Sequence, residues 1–94
     1  MVETQRAAVI GTTSWGTTLA ILLGRSGVAT RLWARTGQEL AQLHEDGENH
    51  ARLAGVRFPE SLSVTADPSE ATEGAEIIVI AVPSIAFREN VRQL

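Results

Sequence analysis

The stretch AAVIGTTSWGTTLA, residues 7 to 20, predicts a short buried strand, a tight loop and the start of a helix. Gly11 and Gly16 occupy the outer two places of a G-x-G-x-x-G loop, and Thr13 stands in the middle place. Such a loop gathers unpaired backbone N–H groups at the positive end of a helix dipole, which favours phosphate binding. The first question is therefore whether Thr13 is compatible with a phosphate site.

The composition limits the class of protein. The chain has 94 residues, 44% of them hydrophobic, and a net charge of −3, which predicts one small soluble domain. The acidic balance argues against nucleic-acid binding, and no apolar run approaches the roughly 20 residues of a membrane helix, so membrane insertion is not expected. With no cysteine and only His44 and His50 as histidines, we expect no metal site. The absence of cysteine and of a signal peptide fits a cytoplasmic protein.

The chain alternates predicted strands with predicted helices. Strands are expected at residues 6–10, 29–34, 62–66 and 76–82, and helices at 14–26, from 36, from 67 to near 74, and from 84 to 94. Residues 47–60 carry glycine, proline and charge without periodicity and predict an irregular surface connection. This order is typical of βαβ units. It predicts an α/β fold, a Rossmann-type parallel sheet with strand order 3-2-1-4 and helices on both faces.

Two helix starts carry capping signals. Thr36-Gly37-Gln38-Glu39 has the form of a capping box, in which the threonine and glutamate side chains each satisfy a free backbone N–H. Asp67-Pro68-Ser69-Glu70 offers aspartate as the cap and proline at the first helical position. Both signals place a helix directly after a predicted strand.

Apolar spacing predicts which side chains are buried. In the first helix the apolar positions recur at helical spacing and predict its core-facing side: Trp15, Leu19, Leu22 and Leu23. Trp15 and Trp33 are expected to be packing residues rather than stacking platforms for a ligand. Residues 76–82 are apolar on both faces, as in a central strand covered by helices. Phe87, Val91 and Leu94 trace one face of the last helix.

The loop residues have separate expected roles. Gly11 permits the tight turn, Gly16 lets the helix pack close to the strand, and Ser14 can add a hydroxyl donor. If its position required a positive φ, Thr13 would be strained by about 1–3 kcal/mol. Two outcomes stay open: the Thr13 hydroxyl faces a phosphate, or the side chain narrows the site. A βα turn that binds no ligand is the third reading.

The end of the second strand bears on cofactor choice. An NAD-selective site usually has an acidic residue there, about 20 residues past the loop, to bind the ribose 2′-hydroxyl. This sequence has Arg35 instead. A guanidinium pairs with a 2′-phosphate that a carboxylate would repel. Arg35 therefore predicts that NADP (NADPH) is preferred and NAD remains possible, unless Arg35 is only a solvated strand-end charge.

Three stretches together resemble the N-terminal cofactor domain of bacterial NAD(P)-dependent glycerol-3-phosphate dehydrogenase: VIGTTSWGTTLAILLGRSG (9–27), RLWAR (31–35) and IIVIAVPS (77–84). NHARLAG (49–55) is similar to that family's asparagine-to-leucine-proline-glycine segment, with Ala54 in the place of the usual proline. The resemblance covers almost the whole chain. It implies an oxidoreductase that interconverts dihydroxyacetone phosphate and sn-glycerol 3-phosphate for phospholipid synthesis.

The resemblance also implies the site. It assigns cofactor binding to these residues: Gly11, Thr12, Thr13, Ser14, Trp15 and Gly16 at the pyrophosphate, Arg35 at the adenosine ribose, and Pro83 and Ser84 near the nicotinamide. No catalytic residue is expected here, because the family's catalytic lysine and helical substrate domain lie downstream of the matched part. Residues 1–94 are expected to be the NAD(P)-binding domain, inactive alone.

Two other classes of function stay open. One is another two-domain NADP-dependent reductase, of the ketopantoate or 6-phosphogluconate type, and the other is a non-catalytic nucleotide-binding module. A half-fold with an uncovered sheet edge tends to associate, so a homo-oligomer is expected.

Overall fold

The computed structural model of the protein describes residues 5–81 and 91–92. It contains four strands and three helices: β1 (Arg6–Ile10), α1 (Ser14–Arg25), β2 (Ala29–Trp33), α2 (Gly37–Asp46), β3 (Leu62–Thr65), α3 (Pro68–Thr72) and β4 (Ile77–Ile80). The predictions that concern Pro83, Ser84, Phe87 and Leu94 lie outside the described residues. Val91 is helical and exposed.

The four strands form one parallel sheet in the order β3-β2-β1-β4, which confirms the predicted topology. The register aligns one row of residues across the carboxyl edge of the sheet: Ile10 pairs with Trp33 and with Ile80, and Trp33 pairs with Thr65. Because parallel strands end at the same edge, the connections that follow β1, β2 and β4 begin side by side. Ligands of doubly wound folds bind at this edge.

The core lies on both faces of the sheet, since neighbouring residues of a strand point to opposite sides. One cluster, on the α1 side, contains Val9, Ala20, Ile21, Leu32 and Leu62. The other, on the α3 side, contains Ile10, Trp33 and Ala71. Trp33 is buried and its Nε1 donates to the Ala66 carbonyl at 3.1 Å, so the prediction that it is a packing residue is confirmed.

The face that α1 buries differs from the predicted one. Its buried residues are mostly small: Gly16, Thr17, Ala20, Ile21 and Gly24. Trp15 is 75% exposed and Leu22 is 53% exposed, so the prediction that they face the core is wrong. The physical reason is the close approach of α1 to the sheet, which admits glycine and alanine where a large side chain would collide. Leu23 packs against the edge of the α1-side cluster.

The fourth strand lies at one edge of the described sheet, as the predicted order 3-2-1-4 requires, but the expectation that both of its faces are covered is not met at Ile77 and Ile78. Within the described residues β4 pairs only with β1 and lies at one edge of the sheet. Ile77 is 43% exposed and Ile78 is 47% exposed. An apolar run indicates a strand without revealing how many neighbours that strand has, and in the part of the chain that the structure describes β4 has one neighbour, β1.

The helix starts are capped as predicted. Thr36 Oγ1 accepts the Glu39 N–H at 3.1 Å, and an Asp67 carboxylate oxygen accepts the Ser69 N–H at 2.9 Å. Each bond satisfies an N–H group that the first turn of a helix leaves unpaired. None of the helices in the described ranges is both long enough and apolar enough to cross a membrane.

Candidate functional site

The loop between β1 and α1 depends on two glycines. Gly11 has a φ of 120°, a backbone conformation that side chains disfavour. A Cβ atom added to Gly16 would lie 2.1 Å from the Gly11 carbonyl oxygen. Both expected roles are therefore observed: Gly11 makes the sharp turn, and Gly16 lets the first turn of α1 pack against that turn.

Thr13 adopts an unstrained conformation. Its φ of −66° and ψ of 169° are extended, so the strain that a positive φ would have caused does not arise. Thr13 is the N-cap of α1: its Oγ1 accepts the Gly16 N–H at 3.1 Å and donates to the Ala81 carbonyl at 2.9 Å. The hydroxyl is thus engaged with the loop itself and with the end of β4.

Backbone N–H groups at the start of α1 have no acceptor within residues 5–81. Ser14 and Trp15 are the first two residues of α1, and within residues 5–81 no acceptor pairs with their N–H groups. The next turn is closed, because the Thr17 N–H donates to the Thr13 carbonyl at 2.9 Å. The first turn of α1 contains no acidic residue. Unpaired N–H groups at the positive end of a helix attract an anion.

Asn49 is a site residue that the sequence did not reveal. It lies in the stretch predicted as a surface connection, yet it is only 5% exposed. Its Nδ2 donates to the Thr12 carbonyl and to Thr17 Oγ1, both at 2.8 Å, so both amide hydrogens are used. Asn49 is the first residue of the family-like stretch NHARLAG, and this position is the one sequence feature that could have indicated a role for Asn49 in the site.

A third bond ties the same segment to the loop. The Ser14 hydroxyl, which the sequence offers as a possible donor to a ligand, donates here to the Arg52 carbonyl at 3.0 Å. The Leu53 N–H donates to the Asn49 carbonyl at 2.7 Å, which closes the 49–53 segment into a compact turn. The 49–53 segment therefore supports the loop from outside the sheet.

Glu39 is the second residue that the sequence did not reveal as part of the site. Its Oε1 accepts the Thr12 hydroxyl at 3.0 Å and the Arg35 N–H at 3.2 Å. The capping box is therefore modified: the glutamate satisfies the N–H of the residue before the cap. Through this carboxylate the glycine loop, the end of β2 and the start of α2 are joined.

Arg35 lies where it was predicted, at the carboxyl end of β2 next to the glycine loop. Its side chain is exposed and forms no ion pair with any of the residues that the structure describes. Pro83 and Ser84, the other predicted site residues, lie outside the described residues. The hydrogen bond from Thr13 to Ala81 shows that the end of β4 adjoins the loop.

Neither of the two histidines forms a hydrogen bond with the glycine loop within the described residues. His44 and His50 are exposed, and His50 Nδ1 lies 3.6 Å from a Glu48 carboxylate oxygen. Across the described ranges, no group of three or more histidine, aspartate or glutamate side chains is placed to hold a metal ion.

Comparison with known proteins places the whole chain in one group. The family model described as the NAD-dependent glycerol-3-phosphate dehydrogenase N-terminus matches residues 6–94. A glycerol-3-phosphate dehydrogenase [NAD(P)+] of Thermus thermophilus is 52% identical over 89 residues, which cover 95% of this chain and 28% of the relative. Its counterpart from Chlorobium limicola is 49% identical over 87 residues, covering 93% of this chain and 26% of the relative.

Solved structures give the same result. The crystal structure of glycerol-3-phosphate dehydrogenase from Coxiella burnetii superposes with a TM-score of 0.86 at 37% identity, over 92% of this chain and 26% of that chain. The Saccharomyces cerevisiae enzyme superposes with a TM-score of 0.80 at 22% identity, over 98% of this chain and 30% of that chain, which supports the fold alone. The chain spans about a quarter of the length of the curated relatives it matches.

Proposed function

The chain belongs to the NAD-dependent glycerol-3-phosphate dehydrogenase family, and from this premise we propose that residues 6–94 are the part of such an enzyme that binds the nicotinamide dinucleotide. The proposed reaction of the whole protein is the reduction of dihydroxyacetone phosphate to sn-glycerol 3-phosphate with NAD(P)H, in phospholipid synthesis. Reduced nicotinamide, when bound, supplies the hydride. Substrate binding and proton transfer belong, in this proposal, to the part of the relatives' length that the chain does not cover.

The observation that carries the proposal is that the N–H groups of Ser14 and Trp15 have no acceptor within residues 5–81. They follow β1, which is flanked by β2 and β4, at the edge of the sheet where doubly wound folds bind ligands. We assign the pyrophosphate to the loop from Gly11 to Gly16, with these two N–H groups as donors. The Gly16 N–H is excluded from this role because Thr13 Oγ1 accepts it.

The residues present fit a diphosphate without rearrangement of the loop. Thr13 is unstrained, and its side chain points to Gly16 and Ala81. The loop is held in place by Asn49 and Glu39 before any ligand binds, which reduces the ordering that binding requires. Preorganised donors are what a phosphate site of this kind needs.

Further assignments concern the two ends of the dinucleotide. Arg35, exposed at the end of β2, pairs with a 2′-phosphate, so NADPH is preferred over NADH. Pro83 and Ser84 are assigned to the nicotinamide half on the family resemblance. A homo-oligomer is part of the proposal, because within the described residues β4 is an edge strand with Ile77 and Ile78 exposed. A cytoplasmic location completes the proposal.

The other classes of function have less support. The match over residues 6–94 favours the glycerol-3-phosphate dehydrogenase reading over reductases of the ketopantoate or 6-phosphogluconate type. A non-catalytic nucleotide-binding module would share the loop geometry and differ in the activity of the whole protein.

The proposal is tested by titrating the ¹⁵N-labelled chain with NADPH and following its amide resonances. We expect saturable shifts that are largest at Ser14, Trp15 and Arg35, because these groups face the phosphates. Dihydroxyacetone phosphate alone should leave the same resonances unmoved. Shifts confined to other parts of the chain, or no shift at millimolar NADPH, would refute the assignment of the loop.

A further inference from the structure

We propose that Glu39 is a second specificity-determining residue, whose carboxylate opposes a 2′-phosphate at the adenosine end of the site and so limits the preference that Arg35 creates. This inference rests on the proposed function, since it concerns the same cofactor. The sequence alone predicts only a positive group, Arg35, at the end of the second strand; the structure adds the carboxylate of Glu39.

The fold brings the Glu39 carboxylate to the adenosine end of the site, between the glycine loop and the end of β2. Glu39 is not at the end of β2; it lies in the first turn of α2, which returns toward the strand. Its Oε1 accepts the hydroxyl of Thr12 from the glycine loop and the N–H of Arg35 from the end of β2. In doubly wound folds the adenosine ribose lies between these two segments.

The carboxylate also stays accessible to a ligand. Both hydrogen bonds go to Oε1, and Oε2 accepts none from the described residues. Glu39 is half-buried, so its side chain is in contact with solvent. Its Oε2 is therefore available to accept a ribose hydroxyl, and the charge of Glu39 is not cancelled by an ion pair within the described ranges.

The chemistry sets the sign of the effect. A ribose with two free hydroxyls can donate to this carboxylate, whereas a 2′-phosphate meets a like charge. A unit charge about 6 Å from a phosphate of nearly two charges changes affinity about tenfold in water. Arg35 is proposed to attract the same phosphate, so the expected preference for NADPH is the difference between the effects of two opposing charges, one on Arg35 and one on Glu39.

The test replaces the charge and keeps the hydrogen bonds. In Glu39→Gln the amide oxygen can still accept from Thr12 and Arg35, and only the negative charge is lost. Glu45→Gln, an exposed position on the same helix, makes the same change in net charge away from the loop. The dissociation constants of NADPH and NADH are measured by ¹⁵N titration for the chain and both variants, at low salt and at about 0.5 M salt.

We expect Glu39→Gln to shift the ratio of the two dissociation constants about tenfold toward NADPH at low salt, and less at high salt because the charges are screened. Glu45→Gln should leave the ratio unchanged. In the double variant Arg35→Gln/Glu39→Gln the two opposing effects should largely cancel in the ratio. This combination would show that both charges act on the same phosphate.

Two results overturn the inference. If Glu39→Gln weakens NADPH and NADH equally, or leaves their ratio unchanged at both salt concentrations, Glu39 only supports the loop; the proposed function then stands, because the parent chain binds. If the parent chain binds neither cofactor, the proposed function fails and this inference fails with it.

Discussion

Thr13 caps the N–H of Gly16 through a 3.1 Å hydrogen bond inside the loop that leads from β1 into α1. The same hydroxyl donates to the Ala81 carbonyl at 2.9 Å. The residue that departs from the glycine pattern therefore fastens the loop to the helix and to the end of β4. The N–H groups of Ser14 and Trp15 have no acceptor within residues 5–81 and are, with those of Thr12 and Thr13, available as phosphate donors.

The first prediction concerns the Thr13 hydroxyl. Thr13→Val keeps the shape of the side chain and removes both hydrogen bonds, so we expect a loss of about 1–3 kcal/mol in the free energy of unfolding. Thr13→Ser keeps the hydroxyl and should stay within about 0.5 kcal/mol of the parent, since serine is an equally good cap. Urea denaturation measures both. Equal stability of the two variants would contradict the capping role.

The second prediction concerns the contact between Gly16 and the preceding turn. A Cβ at Gly16 would lie 2.1 Å from the Gly11 carbonyl oxygen, so Gly16→Ala must displace the backbone. We expect it to destabilise the protein by at least about 2 kcal/mol. Gly37→Ala is the matched control, because a Cβ there meets nothing within 4 Å. The thermal unfolding midpoint should fall for Gly16→Ala and stay unchanged for Gly37→Ala. An unchanged midpoint for Gly16→Ala would show that the turn at Gly11 can accommodate a side chain at position 16.

The third prediction tests the buried amide of Asn49. Asn49→Asp replaces the donor to the Thr12 carbonyl by a carboxylate oxygen, so two acceptors face each other in a buried place. A loss of about 2–3 kcal/mol in unfolding free energy is expected. Gln38→Glu makes the same chemical change at an exposed position of α2 and should be close to neutral. If denaturation curves of the two variants coincide, the 49–53 segment does not hold the loop.

The fourth prediction concerns Arg35 and NADPH. Arg35→Gln removes the guanidinium that is proposed to pair with the 2′-phosphate, and NADPH affinity should fall about tenfold or more while NADH affinity changes little. Arg25→Gln, at the exposed end of α1, controls for net charge. Calorimetric titrations give both dissociation constants. A parallel loss for both cofactors would remove Arg35 from this role.

The topology of the fold follows from local signals along the chain. The alternation of short apolar strands with capped helices predicts a parallel sheet in the order that the structure shows, because right-handed crossovers leave few alternatives. The caps at Thr36 and Asp67 and the turn glycine Gly11 depend on neighbours within a few residues. Such features are encoded locally, and this is why pattern and spacing predict them.

The features that the sequence predicted wrongly or did not reveal depend on contacts between distant parts of the chain. Trp15 and Leu22 fit a helical stripe, but the sheet accepts only the small face of α1. Asn49 and Glu39 reach Thr12 from positions 37 and 27 residues away. Hydrophobic periodicity carries no information about contacts between residues so far apart in sequence. A polar residue in an irregular connection is predicted to be exposed, because its burial depends on the tertiary fold.

The most direct measurement of the central claim compares NADPH binding by Ser14→Pro and Ser14→Ala. Proline suits the first position of a helix, and the extended Thr13 before it is compatible with proline, so the fold is kept while one proposed donor N–H is removed. Alanine removes only the hydroxyl that binds the Arg52 carbonyl. We predict that Ser14→Pro binds NADPH at least about tenfold more weakly than Ser14→Ala. Equal dissociation constants would contradict the claim that this loop holds the diphosphate.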